Sequence, residues 1–125
     1  MAAPQKIRLS RAEKSLQIVF ADAEFTLPAE YLRVFSPSAE VRGHGGAEPV
    51  LVSGKMHVGI DKVEAAGRYA LKINFDDGHD TGIYTWEYLR ELGENYPSNW
   101  DDYLRRLRAA GKSRDPDESA VKIIG

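Results

Sequence analysis

Three carboxylates crowd one imidazole in the run Asp76-Asp77-Gly78-His79-Asp80. Carboxylates that close to a histidine would raise its pKa and fix the ring for proton transfer. The same oxygens would suit a hard cation such as magnesium or calcium. The spacing does not match an EF-hand loop, and Asp and Gly in such a run also satisfy turn backbone with no chemistry at all. His44, His57 and His79 are the only histidines. A three-histidine metal site is therefore arithmetically open, but no H-E-x-x-H or H-x-x-E-H spacing occurs and the three contexts are unlike. Ser36 and Ser38 flank Pro37. A nucleophilic serine needs a base and a strained elbow, and no G-x-S-x-G surrounds either residue, so both read as helix-end and turn residues. Gly43-His44-Gly45-Gly46 shares only its glycine content with a phosphate loop.

The elements that must position these residues follow from periodicity. Ile7 and Leu9, then Leu16, Ile18 and Phe20, then Phe25 and Leu27 alternate with polar or small neighbours. That period of two predicts strands with one buried face and a hairpin over 15–27. Pro28 suits a helix start, and the helix should run from Ala29 to Phe35 before Pro37 stops it. Residues 36–49 hold three glycines and two prolines and read as a long loop. Val58, Ile60 and Val63 predict a strand, and Tyr69 to Phe75 a clearer one. Asp77-Gly78 then signals a hairpin, with Thr81 to Tyr84 as the return strand. Thr85 can cap a helix carrying Trp86, Leu89 and Leu92, with Gly93 as its stop. Trp100, Tyr103, Leu104 and Leu107 mark an amphipathic helix after Asn99 that ends at Gly111. The tail over 112–125 is expected to be mobile.

Composition bounds the function. The chain has 125 residues, 42% of them hydrophobic and 29% charged, which fits one soluble domain. A net charge of −2 argues against a dedicated nucleic-acid binder. The absence of cysteine removes disulfides, thiolate metal ligands and cysteine nucleophiles. No secretory signal and no membrane-length apolar run is evident, so a cytoplasmic protein that binds neither membrane nor nucleic acid is expected, as a monomer or weak homodimer.

Several segments add up to a resemblance. They are Leu27-Pro28-x-x-x-Leu32-Arg33, Ser36-Pro37-Ser38-Ala39, Val58-Gly59-Ile60 and Gly67-x-Tyr69-Ala70-Leu71. The longest is Phe75-x-Asp77-Gly78-His79-x-Thr81-Gly82-Ile83-Tyr84-Thr85-Trp86-x-Tyr88-Leu89-Arg90. Together they resemble the small domain at the N-terminus of gamma-butyrobetaine hydroxylase, which also occurs as a free-standing bacterial protein of the domain-of-unknown-function 971 group. The likeness covers roughly residues 5–95.

The resemblance implies an α+β fold, a small antiparallel or mixed sheet packed with two to three helices. It implies a domain over 1–97; the helix at 98–111 lies outside the likeness and is expected from its own periodicity to pack on that domain. It also implies an accessory zinc-bearing module that does not hold the catalytic iron of the oxygenase domain. The family's C-P-C-x-x-C ligands fall on Ser36, Ser38 and Val41, and its histidine on His79. Three of four ligands are thus missing, and hydroxyls are poor zinc ligands. The expectation is a metal-free, non-catalytic accessory or protein-interaction domain with a degenerate site, in which zinc or iron would come by family likeness alone. If any metal binds, it should be at His79. The partner implied is a protein, of the oxygenase or iron–sulfur carrier kind. The expected docking surface joins loop 36–49 to the Asp77–Tyr84 hairpin through His44, Asp77, His79, Asp80 and Tyr84. The alternative is a metal-binding component of an oxidoreductase or iron–sulfur assembly pathway. There His79, with Asp77 or Asp80, would do acid–base work or hold a divalent cation.

Overall fold

The computed structural model describes residues 2–42 and 49–117. The chain opens on a three-stranded antiparallel meander of β1 (Lys6–Ser10), β2 (Ser15–Val19) and β3 (Glu24–Pro28). Pairing Leu16 with both Leu9 and Leu27 puts the apolar set of the three strands on one face. Pro28 ends β3 and serves as N-cap of α1 (Ala29–Val34), where its missing N–H leaves no bond unmade. A second antiparallel meander follows, of β4 (Ile60–Ala65), β5 (Ala70–Phe75) and β6 (Ile83–Thr85). The fold is α+β as expected, but its strands divide into two sheets instead of one. Period-two alternation identifies strands and is silent on which long-range pairs close.

The two sheets, α1 and α3 (Trp86–Glu94) share one core. Leu16, Ile18 and Leu27 from the first sheet meet Ile60, Leu71, Ile73 and Phe75 from the second, with Tyr31, Leu32, Leu89 and Leu92 from the helices. Each such aliphatic or aromatic side chain contributes about 1.5–3 kcal/mol on full burial. A smaller cluster of Val34, Tyr103 and Leu107 docks α4 (Tyr96–Ala109) onto α1.

Local signals explain most element ends. At Asp76–Gly78 the Gly78 amide donates to the Phe75 carbonyl and Gly78 sits at φ +89°. A turn followed by one left-handed residue is a favoured hairpin connection, and glycine adopts it without strain. The Thr85 hydroxyl accepts from the Tyr88 amide and starts α3. At the end of α4, Gly111 and Lys112 donate back to the Arg108 and Leu107 carbonyls, a Schellman closure around Gly111.

Four expectations are corrected. Gly93 does not stop α3, which runs on to Glu94. A methyl there would fall 2.5 Å from the Phe25 ring, so the missing side chain admits Phe25. Helix α4 starts at Tyr96, not after Asn99, with Pro97 in its first turn where a missing N–H is tolerated. The 36–49 segment carries a short helix, α2 (Ala39–Arg42). Residues 112–117 are anchored, because Ser113 and Arg114 carbonyls accept from the Gly54 and Met56 amides and the Arg114 guanidinium grips Glu30. The rest of that tail lies outside the described residues.

Candidate functional site

The first site segment leaves α1. The chain turns at Phe35, and Ser36 follows with its hydroxyl directed inward, accepting from the Ser38 amide at 3.3 Å. The Ser38 hydroxyl then accepts from the Glu40 amide at 3.1 Å, capping α2. The second segment is the arm between β5 and β6. Ladder pairing of β6 begins only at Ile83, opposite Lys72, so residues 79–82 are free to lie against 36–38.

The two segments meet through side chains. The Ser36 hydroxyl lies 2.9 Å from His79 Nε2, and the Ser38 hydroxyl 2.8 Å from that of Thr81. On the other side of the ring, His79 Nδ1 lies 3.2 Å from a carboxylate oxygen of Glu40. Burial, and then the charge of Arg33, push the His79 pKa below its ordinary value, with Glu40 and Asp77 opposing. The ring is therefore neutral near pH 7. A carboxylate only accepts, so Nδ1 donates to Glu40 and Nε2 accepts the Ser36 hydroxyl proton. The hydrogen-bonded order is Ser38 amide, Ser36, His79, Glu40.

That order is also nucleophile, base and orienting carboxylate. Access rules out such use in this conformation. Ser36 is 1% exposed and His79 7%. Gly82 closes over Ser36 so tightly that a methyl there would stand 2.5 Å from its hydroxyl, with the Tyr84 ring and Pro37 alongside. No carbonyl carbon can reach the oxygen without moving Gly82.

The carboxylates expected around His79 are placed otherwise. Asp77 receives Arg33 Nε at 2.8 Å and Lys55 Nζ at 2.6 Å, and its second oxygen accepts the His79 backbone amide at 3.1 Å. Burial alone would raise its pKa, but Lys55, the His79 amide and Arg33 together bring it down to about 2. Asp77 thus ties the hairpin to α1 and to the segment at Lys55. The Asp76 backbone amide donates to the Gly59 carbonyl, and both Asp76 and Asp80 are exposed. The carboxylate that faces the imidazole is Glu40, which no sequence motif singles out. Its only signal was its position four residues after Ser36, legible only if a helical turn had been expected there.

Tyr84, expected on an interaction surface, is instead 0% exposed and donates to the Leu32 carbonyl at 2.5 Å. His79 is likewise interior. His44 lies outside the described residues.

The family's metal would have to be held by Ser36, Ser38, Val41 and His79. These residues do not fit it. Two are hydroxyls already engaged with His79 and Thr81, and the Val41 side chain is apolar and buried. Both imidazole nitrogens have partners. Among the described residues no group of three or more His, Cys, Asp or Glu side chains could hold a metal ion. Nor is any helix among them long and apolar enough to cross a membrane.

Two small antiparallel sheets, a buried Ser–His contact between the α1 exit and the D-G-H hairpin, and a helix opening at Thr-Trp define the class. The sequence profile of the family described as gamma-butyrobetaine hydroxylase-like, N-terminal matches residues 7–90. The chain belongs to that family. It is similar to a protein whose solution structure was determined by NMR, at 55% identity over 99% of this chain and 98% of that one, with a TM-score of 0.85. A second NMR solution structure matches at 46% identity over 100% of this chain and 95% of that one, with a TM-score of 0.79. The crystal structure of a DUF971-family protein of unknown function from Acidithiobacillus ferrooxidans matches at 38% identity. It covers 72% of this chain and 91% of that one, with a TM-score of 0.61.

Proposed function

We propose that this protein is a non-catalytic accessory domain that acts by binding another protein, built on a cysteine-free, degenerate form of the family's metal site. The observation that carries the reading is the full engagement of His79. Ser36 takes one ring nitrogen from the buried side, and the exposed Glu40 takes the other from the solvent side. A hydrogen-bonded plug joins the α1 exit to the hairpin where the resemblance places zinc. On this reading the module acts through its surfaces, and its partner is of the oxygenase or iron–sulfur carrier kind. The expected face is the rim where α2 and Asp80 flank the plug.

Elemental analysis of the purified protein, before and after incubation with zinc or ferrous iron, tests this. The reading expects less than a tenth of an equivalent of either metal after desalting. A stoichiometric metal that disappears in His79→Ala overturns it in favour of the metal-binding alternative. Hydrolysis of a chromogenic ester that disappears in Ser36→Ala overturns it in favour of an enzyme.

A further inference from the structure

A second surface lies beside the C-terminal half of α4. The C-terminal end of that helix, the segment at Met56 and the anchored stretch after Lys112 enclose a groove of about 370 Å³. Its floor is apolar, made by Met56, Leu104 and Leu107. Its rim is cationic, with Arg108 and Lys112 exposed on it.

The charges around the groove are unevenly satisfied. Arg114 is held by Glu30 at 2.6 and 2.8 Å. Asp115, the one acidic residue on the rim among the described residues, accepts the Asp117 amide at 2.9 Å within its own turn. The side chains of Arg108 and Lys112 have no ion pair or hydrogen bond among the described residues. Both sit at the dipole-negative end of α4, which favours cations there, but the closing carbonyls of that helix are already taken by backbone amides. The rim therefore presents two unpaired cations above an apolar floor.

We propose that this groove receives an acidic segment of a partner protein, with one apolar side chain seated on Met56 and Leu104 and flanking carboxylates on Arg108 and Lys112. The groove is open to solvent along one side, and sites for free small molecules bury most of their ligand. An open trough with an apolar floor and a charged rim suits one anchoring side chain held by flanking charge. The proposal rests on the protein-binding reading above and adds to it a second surface and the chemistry of the partner segment that surface takes.

The test is a titration of the ¹⁵N-labelled full chain followed by amide chemical shifts. The probe is an acetylated hexapeptide with a Leu-Phe pair flanked on each side by two acidic residues. Shifts should concentrate at Met56, Leu104, Arg108 and Lys112. Binding should weaken at least about tenfold in the Arg108→Glu/Lys112→Glu variant, and comparably when the Leu-Phe pair of the probe is replaced by alanines. Raised salt should weaken it too. The amide spectrum of the variant itself reports that it is folded. No shift at about 2 mM probe overturns the proposal, as does binding indifferent to the charge reversal. Shifts confined to 39–42 and 79–82 remove the groove while leaving the protein-binding reading standing. If the same shifts appear on concentrating the protein alone, the groove belongs to a second copy. If they appear on removing residues 118–125, it belongs to the chain's own C-terminal segment. Either result overturns the proposal.

Discussion

The Ser36 hydroxyl lies 2.9 Å from Nε2 of His79 across 43 positions of sequence, with both residues buried. One hydroxyl thereby satisfies a ring nitrogen that would otherwise be stranded in the interior. An unsatisfied buried polar group is expensive, while a satisfied one adds only a little stability. The contact therefore matters most when one partner is removed.

Replacing Ser36 by alanine strips His79 Nε2 of its partner. The variant should lose about 1–3 kcal/mol. Urea unfolding followed by tyrosine and tryptophan fluorescence measures the loss. A midpoint equal to that of the wild type would show that the contact contributes nothing.

The degenerate-site reading predicts that thiols restore what the hydroxyls lack. In the triple variant Ser36→Cys/Ser38→Cys/Val41→Cys, Nε2 of His79 is released from Ser36 while Glu40 still holds Nδ1. A carboxylate on the far nitrogen is the usual support for a metal-bound histidine. The variant should bind about one equivalent of zinc in tetrahedral S₃N coordination. Cobalt substitution would reveal it through intense tetrahedral ligand-field bands, and bands typical of six-coordinate cobalt would contradict it.

Acid should weaken the fold in two stages. The folded chain holds the His79 pKa below the ordinary 6.5, so between those two values the unfolded chain binds a proton that the folded chain does not. Stability from this source is complete above about pH 6.5 and is lost as pH falls toward the folded pKa. Asp77, held at about 2 against an ordinary 3.8, adds a further loss below that ordinary value. The difference in urea midpoint between wild type and His79→Gln should shrink from pH 7.5 to pH 5.5. A difference that is constant or grows would reverse the sign assigned here.

Gly93→Ala places a methyl 2.5 Å from Phe25 Cγ in the last turn of α3. Helix propensity alone favours alanine by about 1 kcal/mol. Overpacking against a ring typically costs about 1–3 kcal/mol, so the variant should be the less stable. A gain in thermal midpoint would mean that Phe25 yields freely.

The parts of the fold legible in the sequence were those set by neighbours in the chain. Asp77-Gly78 predicts its hairpin, Thr85 its cap and Tyr103 to Leu107 a buried stripe, because each signal and its effect lie within one turn. Distant partners decided the rest. Gly93 reads as a stop until Phe25, far away in sequence, occupies its missing side chain. The division into two sheets depends on pairings that alternation does not encode. At the site, Ser36, Ser38 and His79 were singled out through the resemblance, and the structure brings them together. Glu40 went unseen because α2 lies in a stretch whose glycines and prolines suggest only loop. The resemblance places Tyr84 on a docking hairpin, and only the packed core shows that its ring faces inward.

Glu30 is 7% exposed, and its counter-charge comes from Arg114, whose guanidinium also covers the Trp100 ring at 5.3 Å. The family match ends at residue 90, well short of that arginine. A fragment trimmed to the shared portion would uncover Tyr31 and Val34 and strand a carboxylate in the gap, so it would be prone to clump. Expression plasmids, fusions and truncation series should carry the chain at least through Asp117 if they are to report on the intact molecule.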